Sequence, residues 1–221
     1  MSKTPLILWG AAGHAKVLRE FLEPAGYRLV ALFDNDLKRP APYNDAPLYR
    51  GMREFTTWLT QESHADCCFL IAVGGARGNE RIQLHEQLER HGLKPIVAIH
   101  PSAFVAENAT LGSGSQILTH ACVCVDARLG RCCIVNTAAT VDHESELEDG
   151  VHVAPGAHLC GLVKVGAYSL IGPGAVVLPR VRVGSNAIVG AGSVVTRDIP
   201  DGVVAFGSPA RVIRENRSQR S

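Results

Sequence analysis

The stretch VDHESELEDGVHVAPGAHL, residues 141–159, sets Val141, Leu147, Val153 and Leu159 six residues apart, and a slim side chain (Ser145, Val151, Ala157) follows each of the first three by four. The same beat runs outward in both directions. Upstream it passes through Val135, Leu129, Val123, Ile117, Leu111 and Val105 to Ile99, and downstream through Val165, Ile171, Val177, Val183 and Val189 to Val195, making seventeen branched aliphatics without a break. A helix of 3.6 residues per turn cannot hold every sixth side chain on one face over that length, and strand alternation gives no reason for a small residue at a fixed offset. A hexapeptide solenoid explains both. Each hexapeptide supplies one short strand and one turn, three of them complete a coil, and residues eighteen apart stack at roughly the 4.8 Å spacing of paired strands. The expectation is an all-β parallel β-helix of five to six coils, whose flat faces call for burial in an oligomer.

Composition limits what such a chain can do. With 22 basic and 21 acidic residues the formal charge is +1, which provides no field to gather nucleic acid or an anionic membrane. No apolar run reaches the roughly 20 residues that span a bilayer, and MSKTPLILWGAAGHA lacks the apolar region and cleavage site of a signal peptide, so neither membrane insertion nor export is expected and a cytoplasmic location is. Seven cysteines with no paired CxxC spacing read as reduced structural thiols.

The first hundred residues follow a different grammar. LILWG reads as a strand ending in glycine, HAKVLREFLEPAG as a helix with Val17, Leu18, Phe21 and Leu22 on one face, and YRLVALFD as a strand ending at Asp34. A helix over MREFTTWLTQES, a strand over CCFLIAVGG, a helix over NERIQLHEQLERHG and a short strand KPIVAI complete a βαβαβαβ order, which implies a small parallel Rossmann-like sheet. Ligands in such sheets sit beyond the carboxyl ends of the strands. The candidates there run from Gly10 through Ala12 and Gly13 to His14, then Asp34 with Asn35 and Asp36, then Gly74 with Gly75. GAAGHA meets the dinucleotide fingerprint only in part, since Ala15 stands where a third glycine belongs, while Asp34 supplies the acid about twenty residues on. A two-glycine turn at a helix start still offers N–H groups to an anion, so a nucleotide is expected.

GAAGHAKV, FDND and AVGG with GNERI, followed by NTAATVDHE, HVAPGAHLCG and a closing GSPARVIR, together resemble the PglD/NeuD-type sugar acetyltransferases, from about Leu6 to Ile213. The resemblance implies a left-handed β-helix and three segments: a nucleotide-sugar-binding domain over residues 1–98, an acetyltransferase β-helix over 99–200 and a C-terminal extension over 201–221. It further implies acetyl-CoA as co-substrate without a metal, and as acceptor the 4-amino group of a nucleotide-linked 4-amino-4,6-dideoxyhexose for bacterial glycans such as lipopolysaccharide. Homotrimers with active sites between neighbouring β-helices are also implied.

A histidine suits the removal of a proton from an attacking amine. The resemblance puts that base on His143, modulated by Glu144, with Asn136 positioning the acceptor. It sets His152 at the thioester and Pro173 and Ala191 along the cofactor. Gly161 lies eighteen residues after His143, one coil over it, where its N–H can serve the acetyl oxygen. Three other readings stand beside this one: a sugar O-acetyltransferase of the sialic-acid type, a zinc-dependent carbonic-anhydrase-like β-helix, and a non-catalytic nucleotide-sugar-binding partner. Zinc would need converging imidazoles. His120, His143, His152 and His158 are separated by 23, 9 and 6 residues, so no two share a column.

Overall fold

The computed structural model describes residues 3–61 and 67–216. The chain forms two compact units, one comprising the residues up to Val73 together with Gln83–Ile96, the other Gly74–Ile82 together with the residues from Val97 onward.

In the first unit, β1 (Thr4–Trp9), β2 (Tyr27–Asp34), β3 (Leu48–Arg50), β4 (Cys68–Ile71) and β5 (Lys94–Pro95) make a parallel sheet of order β3-β2-β1-β4-β5. Leu6, Ile7, Leu8 and Trp9 are all buried, as a strand covered on both faces requires. Helix α1 (Gly13–Leu22) turns Ala15, Leu18, Phe21 and Leu22 inward. Helix α2 (Gly51–Gln61) begins one residue before the expected 52–63 segment, whose last two residues lie outside the described residues. Trp9, Phe33 and Phe55 pack with centroids 5.1–5.5 Å apart, a spacing that favours offset and edge contacts. Strand β3 was not foreseen: three residues between Pro47 and Gly51 are too few to show a period.

The second unit carries seventeen two-residue strands, β6 (Ala98–Ile99) to β22 (Val194–Val195), and the second residue of each is one of the seventeen aliphatics. Strands eighteen residues apart pair in parallel, giving the three sheets of a left-handed β-helix. From Ile117 to Val195 all fourteen aliphatics of the row are buried, each stabilising by about 1.5–3 kcal/mol. Ile99 is 43% exposed, because the first coil has no coil beneath it.

The turns keep the same period. At fourteen successive positions, Gly114 to Gly192 in steps of six, φ lies between +52° and +74°, and nine of these residues are not glycine. A left-handed turn costs an L-residue about 1–2 kcal/mol. The offset is visible in the ladder: the N–H of Glu144 donates to Val125 O at 3.0 Å and that of Leu162 to His143 O at 2.9 Å, tying each turn to the coil before it. Three serines in interior slots do similar work. Ser115, Ser145 and Ser169 each accept the N–H eighteen residues on and donate to the carbonyl fifteen on, so no hydroxyl is buried without a partner.

Beyond the last coil, β23 (Val203–Gly207) pairs in parallel with β21 (Ile188–Val189) and antiparallel with β24 (Ala210–Glu215), so the segment expected as an extension enlarges one sheet to eight strands. Among the described residues no helix is long and apolar enough to cross a membrane.

Candidate active site

The expected residues fall into three groups. The first is in the amino-terminal unit. Gly10 has φ +112° and a built Cβ would lie 2.8 Å from the Ala72 carbonyl carbon, so packing alone demands glycine there. Gly13 differs: a Cβ on it meets nothing within 4 Å. The cap residue Ala12 makes no side-chain cap and α1 has no acid in its first turn, so the negative charge near the positive end of the helix dipole comes from Asp34, at the Ala11 N–H. His14 is half-buried and Asn35 exposed. Asp34 accepts from Ala11 N–H at 2.8 Å and Asp36 N–H at 2.9 Å. Arg39 Nε lies 3.0 Å from its Oδ2, a close ion pair without hydrogen-bond alignment. The carboxylate expected to meet ribose hydroxyls therefore already frames its own loop.

The second group lies on one corner of the β-helix. His152, 5% exposed, begins β15 (His152–Val153) and pairs with Ile134 and Leu170. Its Nδ1 accepts from Gly75 N–H at 3.0 Å, and its Nε2 stands 3.1 Å from Asn136 Nδ2. Asn136 Oδ1 in turn accepts from Thr137 N–H at 2.8 Å. Gly74 is placed beside this histidine, a built Cβ lying 3.8 Å from His152 Cε1. Pro173 and Ala191 are exposed on the same corner, stacked with Pro155 through Gly174 N–H to Pro155 O at 3.0 Å and Gly192 N–H to Pro173 O at 2.8 Å.

The third group occupies the next corner, across the sheet that contains Thr140 and Val141. In the turn Asp142–Ser145, closed by Ser145 N–H to Asp142 O at 3.3 Å, Asp142 Oδ1 accepts the His143 N–H at 2.7 Å and Glu144 takes the left-handed position. Glu144 Oε2 is 3.3 Å from His143 Nδ1. A proton held there leaves the lone pair on Nε2, the arrangement of a base. The His143 side chain is 49% exposed, and its ring lies on Gly161: a Cβ built there falls within 2.9 Å of Cδ2 and closer still to Nε2. Glycine at 161 is the seat of the imidazole.

The remaining histidines stay apart from these groups. His158 Nδ1 is 3.0 Å from Thr140 Oγ1 on an outer face, and His120 is a left-handed turn residue. Among the described residues no three His, Cys, Asp or Glu side chains converge as metal ligands. Burial drives the Cys67, Cys124, Cys132 and Cys133 thiols up to about 12, which keeps them protonated and poor nucleophiles. Sequence reasoning missed Arg81 altogether, and named Gly75 only as a strand-end candidate for a ligand, not as a partner of His152. Arg81 is fully buried and donates to the carbonyls of Cys132, Gly150 and Gly75. GNERI was legible only as a motif, with no sign that its arginine turns inward.

Fold and site define a hexapeptide-repeat protein with an amino-terminal Rossmann-like domain. Two family models agree: PglD N-terminal domain over residues 5–88, and bacterial transferase hexapeptide (six repeats) over residues 162–197. The acetyltransferase domain of PglB from Neisseria gonorrhoeae, solved with acetyl coenzyme A, is 35% identical with a TM-score of 0.84, covering 96% of this chain and 100% of that one. PerB from Caulobacter crescentus, solved with CoA and GDP-perosamine, is 33% identical with a TM-score of 0.86, covering 95% and 97%. A UDP-N-acetylbacillosamine N-acetyltransferase of Bacillus subtilis (strain 168) is 39% identical over 119 residues, 49% of each chain. Matches to curated relatives span about half of their length. The chain belongs to the PglD/NeuD-type sugar acetyltransferase family.

Proposed function

We propose that the protein is an acetyl-CoA-dependent N-acetyltransferase of a nucleotide-linked 4-amino-4,6-dideoxyhexose, serving bacterial surface glycan or glycoprotein synthesis. One observation carries the reading: a half-exposed imidazole seated on glycine, with a carboxylate at Nδ1, on a turn of the β-helix. The names of the gonococcal and Caulobacter proteins, with their acetyl-CoA and CoA with GDP-perosamine, support the two substrate classes.

Acetyl-CoA supplies the thioester. As the amine nitrogen bonds to the acyl carbon, His143 Nε2 takes the proton the nitrogen sheds and returns it to the departing sulfur; Gly161 N–H serves the acyl oxygen and Asn136 orients the sugar. The exposed Pro173–Ala191 column takes the pantetheine arm through backbone contacts, with His152 at its thioester end. Gly13 and the uncapped first turn of α1 take the diphosphate. An acetyl-transfer assay over UDP-, GDP- and dTDP-linked amino sugars tests the reading, and no transfer to any would overturn it. Gly13→Leu should raise the KM for the nucleotide sugar about tenfold, the equivalent of 1.4 kcal/mol, and leave that for acetyl-CoA nearly unchanged. Equal rises in both constants would refute the assignment.

The two β-helix corners imply a shared site. His143 and the Asn136–His152 group lie on different corners of one chain, so one site holding both needs two chains. The outer rows differ in character. Arg128, Glu146, Lys164 and Arg182 make one row suited to water, whereas Phe104, Cys122, Thr140, His158, Val176 and Val194 make another with no charged carboxylate, ammonium or guanidinium. A homotrimer that packs this second row covers it and completes three sites. Val176→Glu should give monomers by light scattering with activity lost; an active monomer would sink the shared site. Such an enzyme works where its two substrates are made, in the cytoplasm.

A further inference from the structure

We infer that Arg81 is a positioning residue: by holding the Gly75 carbonyl it keeps the Gly75 N–H on His152 Nδ1, so that His152 carries its proton on Nε2 and acts as a hydrogen-bond donor rather than a base. The inference deepens the acetyl-transfer reading at the cofactor end of the site and rests on it only for the kinetic consequence.

Arg81 lies in the first turn of α3 (Gly78–Arg90), where Gly78 and Gly150 permit a close approach: a Cβ on Gly150 would lie 2.8 Å from Gly78 O. The guanidinium is wholly buried. Its Nε reaches Cys132 O at 3.2 Å and its Nη2 reaches Gly150 O at 2.5 Å, the carbonyls of two left-handed turn residues stacked one coil apart. Two arms of the fork are thus anchored to the rigid β-helix, and the third, Nη1, meets Gly75 O at 3.3 Å. A buried cation is a poor way to gain stability, since a well-packed apolar side chain often does as well, so a specific geometric task explains it better. Burial lowers its pKa to about 10, which still leaves the fork charged near neutrality.

The task is set by what Gly75 offers to His152. The peptide presents both its groups to Nδ1, the N–H at 3.0 Å and the carbonyl at 3.3 Å. If Nδ1 accepts the N–H, a neutral imidazole must carry its proton on Nε2; if Nδ1 donates to the carbonyl, Nε2 becomes an acceptor. Arg81 leaves that carbonyl a second lone pair, so it does not block the alternative; by fixing the peptide with its N–H in line with Nδ1, the closer of the two contacts, it favours the first. Nε2–H then faces Asn136 Nδ2 at 3.1 Å, and two N–H groups cannot bond to each other. Asn136 can accept from Nε2–H only by turning its amide and losing Thr137 N–H, and an incoming carbonyl oxygen is a further acceptor that Nε2–H can serve. The acyl oxygen of a thioester is such an acceptor. His152 and His143 therefore hold opposite roles, donor and base, each fixed by the group at its Nδ1.

The test uses nitrogen-15 histidine-labelled full-length protein, with the His152 signals assigned by comparison with His152→Gln. The wild type should show the Nε2–H pattern at neutral pH, and an Nδ1–H pattern overturns the inference. Arg81→Met should shift His152 toward Nδ1–H or a mixture, with Arg81→Lys, which keeps charge but loses the fork, in between. In the acetyl-transfer assay the same variants should lose between about tenfold and 10²-fold in kcat/KM for acetyl-CoA with the nucleotide-sugar KM unchanged. Circular dichroism checks folding; should Arg81→Met not fold, the wild-type tautomer and Arg81→Lys carry the decision. An unmoved tautomer in a folded variant refutes the link. Because the tautomer is read without turnover, absence of acetyl transfer would count against the proposed reaction and leave this result standing on its own.

Discussion

Replacing His143 with alanine lowers kcat by about 10² to 10⁴-fold, the range in which a positioned general base contributes, and leaves the KM for acetyl-CoA nearly unchanged. The expectation follows from where the ring sits. It reaches outward from a turn, clear of the Pro173–Ala191 column, so its loss removes proton transfer and not cofactor binding. Both substrates are held saturating, so that kcat reports the step in the assembled complex. Glu144→Gln should cost about tenfold or less, since its 3.3 Å contact with Nδ1 is solvent-exposed and screened. Near-full activity of His143→Ala would place the base elsewhere.

The β-helix was legible because its period is stated seventeen times. Each aliphatic is the inward residue of a two-residue strand, and stacking eighteen residues apart leaves no other register that buries Val141, Leu147 and Val153 together. The turn period was less visible, since nine of the fourteen left-handed positions carry residues such as Tyr168 or Arg180 that do not announce a positive φ. What lets them adopt it is an N–H bond to the previous coil, a tertiary effect. Strand β3 escaped because Leu48–Arg50 is held by β2, with Leu32 N–H on Pro47 O at 2.9 Å, and not by any pattern of its own.

Site residues were legible as types and columns. The eighteen-residue arithmetic put Gly161 over His143, and the ring does rest on it. Arithmetic along a column does not report what crosses between elements, which is why Asn136 and His152 at 3.1 Å, sixteen residues apart, were assigned separate tasks, and why Arg81 and the bond from Gly75 to His152 were not seen. The two glycines of GAAGHA looked equivalent. Only the backbone separates Gly10, which packing requires, from Gly13, which packing leaves open.

Gly161→Ala should lower kcat by about 10²-fold without loss of fold, because a single added methyl group displaces the base. The built Cβ overlaps the imidazole at Nε2 and Cε1, and ring atoms cannot yield by a few tenths of an ångström there; the side chain has to swing off its seat, away from Glu144. The backbone raises no objection, since Gly161 lies outside the left-handed positions and its column carries Val125 one coil below His143. Thermal unfolding should therefore stay close to that of the wild type while turnover falls. The decisive comparison is the double variant. If the methyl acts through the ring, His143→Ala with Gly161→Ala is no slower than His143→Ala alone, as expected for two changes that remove one function. A further loss in the double variant would show that the methyl acts on something besides the ring. A Gly161→Ala protein with wild-type kcat would show that the ring does not work from this seat, and the argument from its geometry would fail with it.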